Sequence, residues 1–119
     1  MANQLISVII VTYNSSLFVA ETLESIYKQT WNDLELIITD DCSEDSTLEV
    51  CREWLIKNRE RFVHAEIIAS EKNTGVSANA NRGLHAAKGE WIKFLGADDT
   101  LKPRCIEDNM SFITSNPKI

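Results

Sequence analysis

The run Leu5-Ile-Ser-Val-Ile-Ile-Val-Thr12 constrains this chain more than any other segment. It is β-branched and apolar at almost every position and lacks the in–out alternation of a half-exposed strand. It therefore predicts a strand buried on both faces. Such a strand needs a layer above and a layer below. Leu34 to Thr39 reads as a second strand, Phe62 to Ala69 as a looser third and Trp91 to Leu95 as a fourth. Between them, apolar residues recur at helical spacing: Leu23, Ile26 and Tyr27, then Leu48, Cys51, Leu55 and Ile56, then Val76, Ala80, Leu84 and Ala87. Ser15 or Ser16 is expected to cap the first helix, and Ser43 or Asp45 the second. Gly89 is expected to end the third in the left-handed conformation. Pro103 is expected in the first turn of a last helix that runs to about Ser115.

The order is βαβαβαβα, which implies an α/β fold with a doubly wound, mostly parallel sheet joined by right-handed crossovers. Open sheets of this kind bind ligands beyond the carboxyl ends of their strands, near a topological switch point. That rule gathers Tyr13-Asn14 after strand one, Asp40-Asp41 after strand two and Asp98-Asp99 after strand four on one edge.

Charge narrows the ligand. At 119 residues the chain fits one domain, and its net charge of -6 argues against nucleic acid as a partner. An acidic surface repels phosphate, so a phosphorylated ligand calls for a divalent cation between the two. Three cysteines, Cys42, Cys51 and Cys105, have no CxxC spacing and suit a reducing compartment. Met1-Ala2-Asn3-Gln4 has no positive leader region, and the longest apolar run is too short to span a bilayer. The expectation is a cytoplasmic chain, with peripheral attachment of a longer protein to the inner face of the membrane left open.

Asp98 and Asp99 follow a hydrophobic strand as adjacent carboxylates, a pattern suited to Mg2+ or Mn2+ with a partly open shell. The plain alternative is a solvated acidic loop that helps start the last helix. Asp40 or Asp41 could accept hydrogen bonds from a base N–H or from ribose, or serve only as turn and cap. Thr12, Tyr13 and Asn14 could border a base through backbone and ring, or simply form a tight turn. The stretch Asn73 to Gly83 is poor helix material. In it Gly83 would let the helix approach the sheet closely, and Arg82 is the cation placed to meet a diphosphate, against a reading as a surface arginine. His64 and His85 read as bystanders, and Trp31, Trp54 and Trp91 as packing residues.

Val8 to Asn14, Glu35 to Asp41 with Ser43 and Asp45, Asn73-Thr-Gly75 through Asn81-Arg-Gly83, and Gly89 to Asp99 together resemble the family 2 glycosyltransferases of GT-A fold. The resemblance covers nearly the whole chain. It implies an inverting transfer from a nucleoside-diphosphate sugar, usually UDP-linked, to an acceptor hydroxyl (glycan, lipid-linked or other) in polysaccharide or glycan biosynthesis, with Mn2+ or Mg2+ as cofactor. By position, Thr12 and Tyr13 would border the nucleobase, Asp41 or its neighbour Asp40 would contact uracil, and Asp98 would be the metal-binding aspartate with Asp99 beside it. Two positions depart from the family pattern: Gly96 stands where an aspartate is usual, and Ala80 where an arginine is common. Residues 1–119 would be the nucleotide-diphospho-sugar-binding part. The acceptor-binding part, with the general base, would lie beyond it, so the chain is expected not to turn over alone. The alternative is a non-catalytic nucleotide-sugar-binding module. A phospho-acceptor receiver domain would place its acidic pair after strand one, and a dinucleotide-binding Rossmann domain would need GxGxxG there. Neither fits Thr12-Tyr13-Asn14.

Overall fold

In a computed structural model of the chain, residues 4–116 and 118 are described. Met1 to Asn3, on which most of the reading of a missing leader rests, lie outside them, as do Pro117 and Ile119. The order is β1 (Ile6–Thr12), α1 (Val19–Tyr27), β2 (Leu34–Asp40), α2 (Thr47–Asn58), β3 (His64–Ala69), α3 (Val76–Ala86), β4 (Trp91–Gly96) and α4 (Cys105–Ser115). A short 3-10 turn, Arg59–Arg61, precedes β3 and takes in the ground just before Phe62.

The four strands are parallel in the order β3-β2-β1-β4. Successive strands are added to one side of β1 as far as β3 and then to its other side with β4, so the switch point lies between β1 and β4. β1 pairs with β2 in the register Ile6↔Leu34 to Thr12↔Asp40, and with β4 from Ile6↔Trp91 to Val11↔Gly96. Every residue of β2 is buried, and all but one of β1, as two-faced strands require.

Ile6, Val8 and Ile10 of β1 and Leu34, Leu36 and Ile38 of β2 pack with Leu23 of α1, Cys51 and Trp54 of α2 and Ile106 and Met110 of α4 in one core. The opposite face meets α3. There a Cβ on Gly83 would lie 2.5 Å from Ile9 Cγ2 and 3.2 Å from Thr39 Cγ2, so the helix approaches the sheet as closely as glycine allows. The tryptophans are packing residues: Trp54 sits in the core, with Trp31 and Trp91 against it.

Several local expectations are corrected. The buried face of α3 is Asn79 and Gly83, not the apolar set, since Val76 and Leu84 are exposed. Ile56 likewise points to solvent, and Trp54 takes its place in the stripe. Neither Ser15 nor Ser16 caps α1, whose N-cap is Phe18; the Ser15 carbonyl accepts from Phe18 and Val19 N–H instead. Ser46 is the N-cap of α2, yet Asp45 does accept the Thr47 N–H at 3.0 Å. Gly89 does not adopt positive φ. It is required because a Cβ there would meet Ser7 Oγ at 2.5 Å and Ser7 N at 2.6 Å. Pro103 lies just outside α4, which starts at Cys105.

His64 has a partner. Its Nδ1 lies 2.9 Å from Oε2 of the fully buried Glu35, whose Oε1 accepts the Ser7 hydroxyl at 2.6 Å and the Lys88 N–H at 2.8 Å. Burial alone would raise the Glu35 carboxyl. The Lys88 N–H, the Ser7 hydroxyl and His64 outweigh it and hold the group below its usual range. This cluster fastens the amino-terminal edge of the sheet, opposite the edge that carries the site.

Candidate functional site

Three loops leave the carboxyl edge, and hydrogen bonds tie them into one surface. β1 ends in Thr12, and Asn14 follows with φ 48°. Asparagine tolerates that left-handed turn better than most residues. Its Oδ1 accepts the Glu44 N–H at 2.8 Å, and its own N–H donates to Ser43 Oγ at 2.8 Å. Ser15 N–H donates to Thr47 Oγ1 at 2.7 Å, so the loops after β1 and β2 are laced together.

The two acids after β2 have separate work. Asp40 ends the strand, is fully buried and accepts from the Thr12 hydroxyl at 2.5 Å, Ser43 N–H at 2.9 Å and the Ser43 hydroxyl at 2.6 Å. Asp41, one step on, faces the cleft and accepts from the Thr74 N–H, the Thr74 hydroxyl, the Gly75 N–H and Arg82. Burial pushes the Asp41 carboxyl up, but those four donors prevail and hold it at about 2. It is a fixed anion under all ordinary conditions.

α3 contributes Asn79, whose side chain is buried. Its Nδ2 donates to the Thr39 and Thr12 carbonyls at 3.0 and 3.2 Å, and its Oδ1 accepts from the Thr39 hydroxyl at 2.7 Å. One amide thus joins the ends of β1 and β2 to the helix. The sequence signal was present: an asparagine four residues before a glycine, both on the face that touches the sheet.

β4 ends at Gly96 and turns, with the Asp99 N–H donating to the Gly96 carbonyl at 3.1 Å. A polar ladder on α1 and the residues just after it holds this loop. The Thr22 hydroxyl is shared between the carbonyls of Ala97 (2.8 Å) and Asp99 (2.6 Å), Ser25 Oγ accepts the Leu101 N–H, and Gln29 donates to the Lys102 carbonyl and accepts the Ile106 N–H. Thr22 and Ser25 lie on the side of α1 that faces this loop, and Gln29 continues the row just past the helix end, at the spacing i, i+3 and i+7.

A cleft of about 550 Å³ opens along this edge, lined among others by Val11, Thr12, Tyr13, Asn14, Asp41, Gly75, Asn79, Gly96 and Asp98. Of the residues singled out from sequence, Thr12, Tyr13, Asn14, Asp41 and Asp98 share it. Asp40 supports it from below, Arg82 stands behind Asp41, and Asp99 sits beside Asp98 at the rim without lining it. Tyr13 is half exposed and offers its ring to the opening.

Both carboxylates of the Asp98-Asp99 pair turn toward one point. A Cβ on Gly96 would lie 3.3 Å from Asp98 Oδ1 and 3.1 Å from Asp99 Oδ2. Among the described residues no group of three His, Cys, Asp or Glu converges in a metal-binding arrangement. Two carboxylates at the mouth of a cleft fit Mg2+ or Mn2+, which keep waters and take phosphate oxygens from a substrate.

Comparison with known proteins decides the family. The model of glycosyl transferase family 2 matches residues 7–119. The chain belongs to glycosyl transferase family 2. Among family relatives, the glycosyltransferase GlyG of Streptococcus pneumoniae is 38% identical over 107 residues, covering 88% of this chain and 34% of that protein. The crystal structure of TarS residues 1–349 from S. aureus, in complex with UDP-GlcNAc, superposes with a TM-score of 0.84 at 30% identity, over 94% of this chain and 32% of that one. A mannosyltransferase from Pyrobaculum calidifontis, in complex with GDP-Man and Mn2+, gives 0.85 at 25% identity, over 96% of this chain and 33% of that one. The chain spans about a third of the length of the family 2 relatives it matches. Its parallel α/β sheet is the GT-A fold of those structures.

Proposed function

We propose that this chain is the donor-binding part of an inverting glycosyltransferase that moves a sugar from a UDP-sugar to an acceptor hydroxyl, in polysaccharide or glycan synthesis. The observation that carries the reading is the single cleft that joins Thr12, Tyr13, Asn14, Asp41 and Asp98. Asp41 is an acceptor-only group at one end and suits a nucleobase N–H, with the Tyr13 ring beside it. Asp98, with Asp99 at the rim, stands at the other end and suits the diphosphate through Mn2+ or Mg2+. A bound cation there would neutralise charge gathering on the departing nucleoside diphosphate. Relatives solved with UDP-GlcNAc and with GDP-Man and Mn2+ support the donor class and the metal.

In an inverting transfer the acceptor hydroxyl attacks the anomeric carbon from the face opposite the leaving group and gives its proton to a general base. We assign that base to the acceptor-binding part, since Asp98 and Asp99 stand on the leaving-group side. Free Cys42, Cys51 and Cys105 support a cytoplasmic site of action. No helix among the described residues is long and apolar enough to cross a membrane, so attachment to the inner face of a membrane would come from elsewhere in a longer protein.

Calorimetric titration of UDP with Mn2+, and again with EDTA, tests the site. Saturable binding that needs the metal and weakens at least about tenfold in Asp98→Ala is expected. Binding indifferent to both EDTA and Asp98→Ala would refute the metal assignment.

A further inference from the structure

Asp41 reaches the cleft with most of its acceptor capacity already in use. An ionised carboxylate offers about four lone-pair positions on two oxygens. Oδ1 receives the Thr74 N–H at 2.8 Å, the Thr74 hydroxyl at 2.6 Å and an Arg82 guanidinium N–H at 3.0 Å. Oδ2 receives only the Gly75 N–H, at 2.8 Å. Oδ1 is therefore full, and Oδ2 keeps one position for a ligand.

Arg82 maintains this asymmetry. Its other terminal nitrogen donates to Thr74 Oγ1 at 2.8 Å, which turns the threonine hydroxyl hydrogen toward Asp41. The nitrogen on Asp41 also reaches Asn79 Oδ1 at 3.2 Å, and Asn79 is fixed to the ends of β1 and β2. The clamp thus rests on rigid elements. Arg82 does not line the cleft, so its influence on a ligand runs through Asp41.

Resting on the donor-site reading above, we propose that the Thr74–Arg82 clamp sets base specificity by leaving Asp41 a single free acceptor. One acceptor suits a base that presents one ring N–H, as uracil does. Guanine presents a ring N–H and an amino group side by side and needs both carboxylate oxygens; with Oδ1 closed, one of its donors is buried unpaired. Cytosine and adenine have no ring N–H and would set a lone pair against the carboxylate. Arg82 is a positioning residue in this scheme.

The test is calorimetric titration of UDP and of GDP, each with Mn2+, into the wild-type chain, into the double variant Thr74→Val/Arg82→Met and into Arg82→Lys. Wild type is expected to favour UDP. The UDP-over-GDP ratio is expected to fall about tenfold in the double variant Thr74→Val/Arg82→Met, in which Oδ1 keeps only the Thr74 N–H and regains one position, the worth of one hydrogen bond to a charged group. Arg82→Lys is expected to keep the ratio, because an ammonium group can still occupy Oδ1. Loss of UDP and GDP affinity by the same factor would mean that Arg82 and Thr74 merely support the loop, and would overturn the proposal, as would a wild-type preference for GDP. If the folded wild type binds neither nucleotide, the donor-site reading fails and takes the proposal with it. UDP binding with an unmoved ratio overturns the clamp alone.

Discussion

Asp40 and Asp41 stand side by side in the sequence, and nothing in their identity separates them. Register does. Asp40 is the last paired residue of β2, opposite Thr12, and is consumed by Thr12 and Ser43; Asp41 steps off the strand and turns to the cleft. That this loop would bring an acid to the carboxyl edge was legible, whereas which of the two faces the cleft required the neighbours of each. Arg82 was legible as a cation near the site, but not as Asp41's partner, because helical angle alone does not say that Thr74 folds back beneath it. His64 read as a bystander, and its partner Glu35 was not linked to it, because the two meet only across paired strands, at Glu35↔His64. Asp41 and Asp45 both titrate at about 2, against an ordinary 3.8; burial raises each, and hydrogen bonds, chiefly from Thr74 and Thr47 respectively, more than reverse it. Between those values the unfolded chain binds more protons than the folded one. The stability they contribute is therefore present above about pH 4 and lost as pH falls toward about 2. Thermal melts over that window should show Tm dropping with acid, and Asp45→Asn should flatten the drop while lowering Tm at neutral pH.

At the scale of elements, the alternation of apolar strands and amphipathic helices gave away all four strands and four α-helices described, with strand boundaries off by up to two residues and helix starts by up to three, and without the 3-10 turn Arg59–Arg61. The helix faces were harder. Counting apolar residues selects Val76 and Leu84 on α3, but close approach to a sheet selects small and hydrogen-bonding ones, Gly83 and Asn79. Gly83→Ala should therefore cost about 1–3 kcal/mol of unfolding free energy in urea, since Ile9 cannot retreat from a buried strand. Leu84→Ala, half exposed, should cost no more than about 0.5 kcal/mol. α1 carries the loop of Asp98 and Asp99 on a ladder of hydroxyls and one amide rather than on apolar contacts. Gln29→Leu leaves the Ile106 N–H and the Lys102 carbonyl without their partner. It should lower stability by about 1–3 kcal/mol in the same urea titration.

For the whole molecule, topology does most to place the site. Helical crossovers carry the chain outward from β1 to β2 and β3, and α3 then carries it back over the other face to β4. Element order predicted a parallel, doubly wound sheet, and parallel strands alone put the loops after β1, β2 and β4 on one edge; the strand order β3-β2-β1-β4 had to come from the structure. What could not be predicted is how those loops knit together, since Asn14 with Glu44 and Ser15 with Thr47 lie about thirty residues apart and pair only once the sheet exists. Parallel pairing also fixes a distance. β2 and β4 flank β1, so the loops bearing Asp41 and Asp98 rise from strands two spacings apart, roughly 10 Å. The sheet is therefore a ruler laid along the cleft, rigid in length but silent about what is read at either end. Each end belongs to a different crossover and can be rewritten without moving the other. If the proposed donor site holds, a lineage built on this sheet can change the base it accepts through the Asp41 loop and the group it handles through the Asp98 loop, as two separate evolutionary steps.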